Sequence, residues 1–436
     1  MKYCLIGLLF LFLVYSPING FAGALEDYEE ARKIYIAAGA SVAAYEGRIG
    51  ELAARYLEQA GWQVDHYIQA EGRSGARFIV AKKIHPDTFP VYIVAIVGTE
   101  NGKDVKIDLK VNKVYFSGSN FEEFTSNADK KDVPDTEPKV HRGFNEFVQA
   151  GPAAVLQNPH SVRLSLPDLL RADKNSKVYL VGHSLGGAAA ILTGARLISM
   201  GIDPAQIEVI TFGAPAVGNA AFADRFQPVL RVTRIVNSGD PIPGILQTRG
   251  YRQFGKEIEW AWQDDINGPH KLIGYVDSAI KNYYDKRRQA VENGTLVFAD
   301  EKSINLPRVY IAPLQNNLPV NMEADFWYMN EALADEYRLT LAGRAIIDTS
   351  AVPDWRKAAV AAGCQRAVVS EVSAFKMKKE KDIYYITVTQ TIFDVVTGSV
   401  IDTAIFSTGT YNLTPLEAFI HSFKGMNARQ NSKLAS

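Results

Sequence analysis

The sequence predicts an α/β protein built on a parallel sheet, followed by a second, smaller α/β unit. Three observations carry that prediction. Continuous apolar runs, "VYIVAIVG" (91–98), "KVYLVGH" (177–183), "IEVITF" (207–212) and "RVTRIV" (231–236), are separated by helical text. Such runs suit strands covered on both faces. The pattern stops after a basic helix around Tyr283–Val291, and a new strand–helix succession opens at "RVYIAPL" (308–314). A chain of 436 residues is also long for one core.

Residues 1–24 have the layout of a secretory signal: Lys2, an apolar run from Cys4 to Tyr15, then Pro17, Gly20 and the small-residue site Ala22-Gly23-Ala24. The run is too short to span a bilayer, although an uncleaved anchor is the other reading. A secreted or periplasmic location is therefore expected. Without this segment only Cys364 remains, so no internal disulfide is expected.

The first unit is expected over 25–293. Its text is helical from Leu25 to about Ala60, strand-like at "RFIVAKK" (77–83) and at the runs above, polar from Glu100 to Pro138, and helical at "KVHRGFNEFVQAGPAAVL" (139–156). A polar linker is expected over 294–305 and the second unit over 306–436. In the latter, helices around Met322–Leu341 and Asp354–Ala362 alternate with "RAIIDT" and "RAVVSEVSAF". Two long strands joined at Val396–Ser399 and the helix "TPLEAFIHSF" close it as a small α/β sandwich with an antiparallel edge. A polar join of this kind predicts separable units, with the chemistry in the first.

Composition is that of a folded protein, 47% hydrophobic and 22% charged. A net charge of −1 offers no electrostatic footprint for nucleic acid. No His or Cys cluster has metal-ligand spacing, so neither metal nor cofactor is expected.

The chemistry sits at "KVYLVGHSLGGAAAILTGARL" (177–197), a strand running through Gly-x-Ser-x-Gly into a helix. This is the nucleophile elbow. The turn must project the Ser184 hydroxyl above the sheet edge, and Gly182 and Gly186 fit where side chains would clash. The helix that follows turns its N-terminal amides and positive dipole end toward a developing oxyanion. Only His270 and His421 follow Ser184. His421 lies on the C-terminal helix and reads as structural; His270, in "NGPHKLIGY", lies in a loop of the first unit. Asp240 follows "RVTRIV" through Asn237-Ser238-Gly239, which places it on the sheet edge that carries the serine. Asp264 and Asp265 are nearer to His270 in sequence but have no strand to aim them. Ser184, Asp240 and His270 are thus the expected catalytic residues.

These residues resemble the class 3, or fungal-type, lipases of the α/β-hydrolase fold. The likeness covers about Leu52–Tyr283 and rests on "VGHSLGGAAA", "ITFGAPAVGN", "RIVNSGDPIP" and "KVHRGF" in that family's order and spacing. "GYRQFGKEIEW" resembles its segment before the catalytic histidine, and "PHKLIGY" that histidine with its downstream tyrosine. The resemblance implies an α/β-hydrolase domain, an ester target, the Ser184–Asp240–His270 triad, and an oxyanion hole formed by the Leu185 amide and Thr99. The other reading of Thr99 is a threonine that only ends its strand. His141 and Gly143 match the family's His-x-Gly-Phe and imply support beneath the site, as does His183.

Departures are Val97 where the family has arginine, Gln253 where it tends to have histidine, and a charged stretch over 101–138 in place of an apolar lid. That stretch sets phospholipase A-type or short-chain esterase activity beside triacylglycerol hydrolysis. The second unit resembles, more weakly, small α/β modules of envelope lipoproteins of the curli-secretion or cell-wall-synthase-activator type. Contact with a membrane surface or an envelope protein is the partner this implies. The reading of a different class is a lapsed hydrolase that serves as an envelope scaffold.

Overall fold

The computed structural model describes residues 18–45, 47–68, 77–83, 89–98, 112–150, 165–262, 268–296, 307–348, 354–377 and 383–435. The first unit begins with α1 (Ile18–Ala43), α2 (Arg48–Gln59), β1 (Gln63–Ile68), β2 (Arg77–Lys83), β3 (Val91–Ile96) and β4 (Lys113–Tyr115). It continues through α3 (Phe121–Ala128), β5 (Lys139–His141), α4 (Arg142–Ala150), α5 (Leu166–Ala172), β6 (Lys177–His183) and α6 (Leu185–Ser199). It ends with β7 (Ile207–Phe212), α7 (Ala220–Phe226), β8 (Arg231–Asn237), β9 (Lys256–Trp260) and α8 (Leu272–Glu292).

Seven strands form one sheet in the order β1-β2-β3-β6-β7-β8-β9. The first three are antiparallel, and β3 through β9 run parallel, as an α/β-hydrolase sheet does. Side chains alternate between its faces. Leu180 and Val209 enter a cluster with Ala188–Ala190 of α6 and Phe222 and Phe226 of α7. Val181 and Ile210 enter a cluster on the other face with Ala37, Ala38 and Ala40 of α1 and Ala279 and Ile280 of α8. The alanines let α1 lie close against the sheet.

The second unit comprises β10 (Val309–Ile311), β11 (Gln315–Asn317), α9 (Glu323–Thr340), β12 (Ala345–Ile347), α10 (Trp355–Ala361), β13 (Arg366–Lys376), β14 (Tyr384–Asp394), β15 (Val400–Gly409) and α11 (Pro415–Ala435). Its sheet runs β12-β10-β13-β14-β15, with β11 also on β13; the β13-β14-β15 part is antiparallel. Cys364 is buried.

The two units share an apolar core edged by ion pairs and hydrogen bonds. The α1/α8 cluster continues through Val309, Ile311, Tyr337, Val368 and Phe419 of the second unit. Lys281 of α8 bridges Asp277 (2.8 Å) and Asp325 (2.7 Å), and the Thr414 hydroxyl donates to Asp277 at 2.7 Å. Arg287 pairs with Glu331 and Asp335, and Tyr56 of α2 meets His421 of α11 at 3.1 Å. The composition of residues 294–305 alone gave no sign of this interface, and residues 297–306 lie outside the described residues.

Several local expectations change. Lys139–His141 is a strand paired with β4 rather than the start of a helix, and the helical text from Leu25 to about Ala60 is two helices, α1 ending at Ala43 and α2 opening at Arg48. Strands β1 and β9 were not foreseen. Of the expected signal, residues 1–17 lie outside the described residues and Ile18–Ala24 open α1. Among the described residues no helix is long and apolar enough to cross a membrane.

Candidate active site

Strand β6 delivers Ser184 to the C-terminal edge of the sheet. Its backbone, at φ 55° and ψ −121°, lies in a region that only glycine enters without strain. Packing holds it there. The Ser184 amide donates to the Phe212 carbonyl at 2.9 Å. A Cβ on Gly186 would stand 2.1 Å from the Ile96 carbonyl oxygen, and one on Gly182 2.4 Å from the Gly186 carbonyl carbon. Both glycines are therefore required by the elbow.

His270 stands between the other two expected residues. Its Nε2 is 3.0 Å from Ser184 Oγ, and its Nδ1 is 2.8 Å and 3.0 Å from the two Asp240 oxygens. A carboxylate only accepts, so Nδ1 carries the proton and Nε2 is free to accept from the serine. The Asp240 side chain is fully buried. Burial pushes its carboxyl pKa up, but bonds from His270, from the Tyr275 hydroxyl (2.5 Å) and from the Ile242 amide (2.9 Å) outweigh this and hold it below the ordinary carboxylate range. Burial, with Asp240 alongside, raises the Tyr275 phenol, which stays a donor.

The loop carrying His270 is clamped from the sheet. The His183 ring donates through Nε2 to the His270 carbonyl at 2.6 Å, and Asn237 Nδ2 donates to the Pro269 carbonyl at 3.2 Å. Burial and the adjacent His270 push the His183 pKa down to about 3, so it is a neutral donor at ordinary pH. Asn237 is completely buried; its amide donates to the Tyr275 oxygen (3.1 Å), and its side-chain oxygen accepts from Ser278 (3.3 Å). Sequence reasoning gave Asn237 no role, and named Tyr275 without its partner. The signal available was a polar residue ending an otherwise apolar strand.

Other expected positions are only partly visible. Leu185 is the first residue of α6, where helix amides lack intrahelical partners. Thr99, Asp264 and Asp265 lie outside the described residues. Gly98, just before Thr99, donates its amide to the Tyr45 hydroxyl at 3.1 Å. His141 is buried, stacks on Phe144 at 4.2 Å and accepts from its amide at 3.4 Å. Gln253 ties the loops after β7 and β8 together, donating to the Ala214 and Pro243 carbonyls at 3.1 Å each. In the charged stretch, Phe124 of α3 packs inward on Phe116 at 5.0 Å; residues 101–111 are outside the description.

Residues 93–249 match the family model for Lipase (class 3). The match includes Ser184 and Asp240 and ends before His270. The chain is similar to Phospholipase A1-II 4 of Oryza sativa subsp. japonica, 31% identical over 132 residues that make up 28% of this chain and 33% of that protein. It is also similar to a lipase of Caenorhabditis elegans, 43% identical over 72 residues, 16% of this chain and 20% of that one. The chain thus spans between a fifth and a third of the length of these relatives. Among solved structures it is similar to a lipase from Rhizopus microsporus var. chinensis, at 21% identity and a TM-score of 0.40, covering 54% of this chain and 76% of that one.

Proposed function

We propose that this chain, whose residues 93–249 belong to the class 3 lipase family, is a lipolytic carboxylic-ester hydrolase that works through an acyl-enzyme on Ser184. The observation that carries the reading is His270, within hydrogen-bond reach of both Ser184 and the buried Asp240. Ser184 Oγ attacks the ester carbonyl as His270 Nε2 takes its proton. The resulting imidazolium lies against Asp240. His270 then gives the proton to the leaving alcohol, and water repeats the sequence on the acyl-enzyme to release the acid. The Leu185 amide and Thr99 are the proposed oxyanion donors, each worth about 3 kcal/mol in the transition state.

Phospholipid esters are a candidate substrate class because one relative is named a phospholipase A1. Short-chain esters are the other, since the described part of the charged stretch turns Phe124 inward. Residues 1–24 are proposed as an export signal, and N-terminal sequencing of the mature protein tests that. The activity is tested with aryl esters of increasing acyl length on the wild type and Ser184→Ala. Turnover should fall on the order of a million-fold, with an unchanged circular dichroism spectrum. Near-wild-type turnover in the folded variant would sink the assignment.

A further inference from the structure

Away from Ser184, a groove of about 590 Å³ opens on the α1 face of the large sheet. Its floor and walls are Ile36, Trp62, Val91, Ile93, Tyr179 and Ile210. Val91 opens β3 and Tyr179 lies near the start of β6, toward the strand ends opposite the triad. The volume falls in the range of small-molecule sites, and the lining has their character, apolar with a few polar groups at the rim.

The rim is basic. Arg32, Lys33 and Lys83 border the groove, against one lining carboxylate, Glu29. Arg32 is matched by Glu29 at 3.3 Å, and Lys33 by Glu208 at 2.8 Å. Lys83 has no carboxylate partner among the described residues. Its Nζ donates to the Ala60 carbonyl at 2.9 Å and stands 5.7 Å from the centre of the Trp62 ring, at the mouth of the groove. An ammonium has three donors, so this one keeps capacity for an anion.

The floor narrows the choice further. It is made by side chains of β3, β6 and β7, inner strands whose backbone groups are paired within the sheet. No strand edge is offered to a peptide. An alkyl chain needs no such partner and is recognised by apolar burial alone. We propose that this groove binds the anion of a long-chain fatty acid, with the acyl chain on the sheet face and the carboxylate at Lys83. The site is separate from the triad and does not rest on Ser184 being catalytic.

The test uses the full-length Ser184→Ala chain and a brominated long-chain carboxylate below its micellar concentration, read by quenching of tryptophan fluorescence. Saturable quenching is expected and should be largely lost in Trp62→Phe. Affinity should rise about fourfold for each added methylene. Lys83→Gln should weaken the carboxylate by about tenfold or more while leaving the matching brominated alcohol unchanged. Quenching that survives Trp62→Phe would place the ligand elsewhere and overturn the proposal. So would equal affinity for acid and alcohol, an unaltered Lys83→Gln, or no saturable quenching at all.

Discussion

Removing the second unit should destabilise the first. The perturbation is a chain ending at Leu296, just past α8. Tyr35 of α1 and Tyr283 and Tyr284 of α8 line one crevice with Leu339, Ile420 and Phe423 of the second unit. Truncation uncovers them, and each large side chain returned to water costs about 1.5–3 kcal/mol. Tyr35 and Tyr283 are only partly buried and all three keep contacts with one another, so the loss comes to roughly 3–5 kcal/mol, against about 5–15 kcal/mol for the whole stability of a domain. Arg287 also loses Glu331 and Asp335, Asp277 loses Thr414, and Lys281 loses Asp325 while keeping Asp277. Helix α8 carries Tyr275 and Ser278 as well, so its loosening reaches Asp240 and Asn237. Thermal unfolding by circular dichroism and hydrolysis of a short soluble aryl ester, run on both chains, measure the effect. The truncated chain should melt at least about 10 °C lower or lose its cooperative transition, with activity falling alongside. A truncated chain with full-length melting temperature and rate would refute the reasoning and restore the separable unit that the linker composition predicts.

Three further outcomes follow from the site. Asp240→Asn should lower turnover about ten-thousand-fold by favouring the wrong imidazole tautomer, while Asp264→Asn and Asp265→Asn stay near wild type; the reverse pattern would move the acid off the sheet edge. Tyr275→Phe removes one of the bonds that hold the Asp240 pKa down. A depressed carboxyl contributes stability that is full above its unfolded pKa, near 3.9, and is lost as pH falls through the folded value, so the acid-unfolding midpoint should move to higher pH, which an acid titration by circular dichroism would read. Gly186→Ala puts a methyl against the Ile96 carbonyl and should cost about 1–3 kcal/mol or more, seen as a lower denaturation midpoint.

Legibility in the sequence followed the strength of local patterns. Strand β2 and helix α9 stand within a residue of expectation because each shows an unbroken run of one kind. Strand β9, "KEIEW", was missed because it is a sheet edge whose charged residues face solvent. Strand β1 was missed for a related reason, carrying Gln63, Asp65 and His66 in six residues. At Lys139–His141 the strand is too short to show a period of two beside the helical text that follows. The triad candidates were legible because the elbow and the strand-end aspartate are local features. The clamp on His270 was not: it joins residues 87 positions apart at His183 and 32 apart at Asn237. The shared core around α8 was hidden likewise, since helix α8 shows one sequence but packs against two units.

The most direct measurement of the central claim is covalent labelling with a fluorophosphonate, which phosphonylates an activated serine far faster than an ordinary hydroxyl. The account predicts one adduct per chain, mapped by peptide mass spectrometry to Ser184, with labelling abolished in Ser184→Ala and strongly slowed in His270→Ala. An unlabelled but folded wild-type chain, or an adduct on another residue, would contradict it.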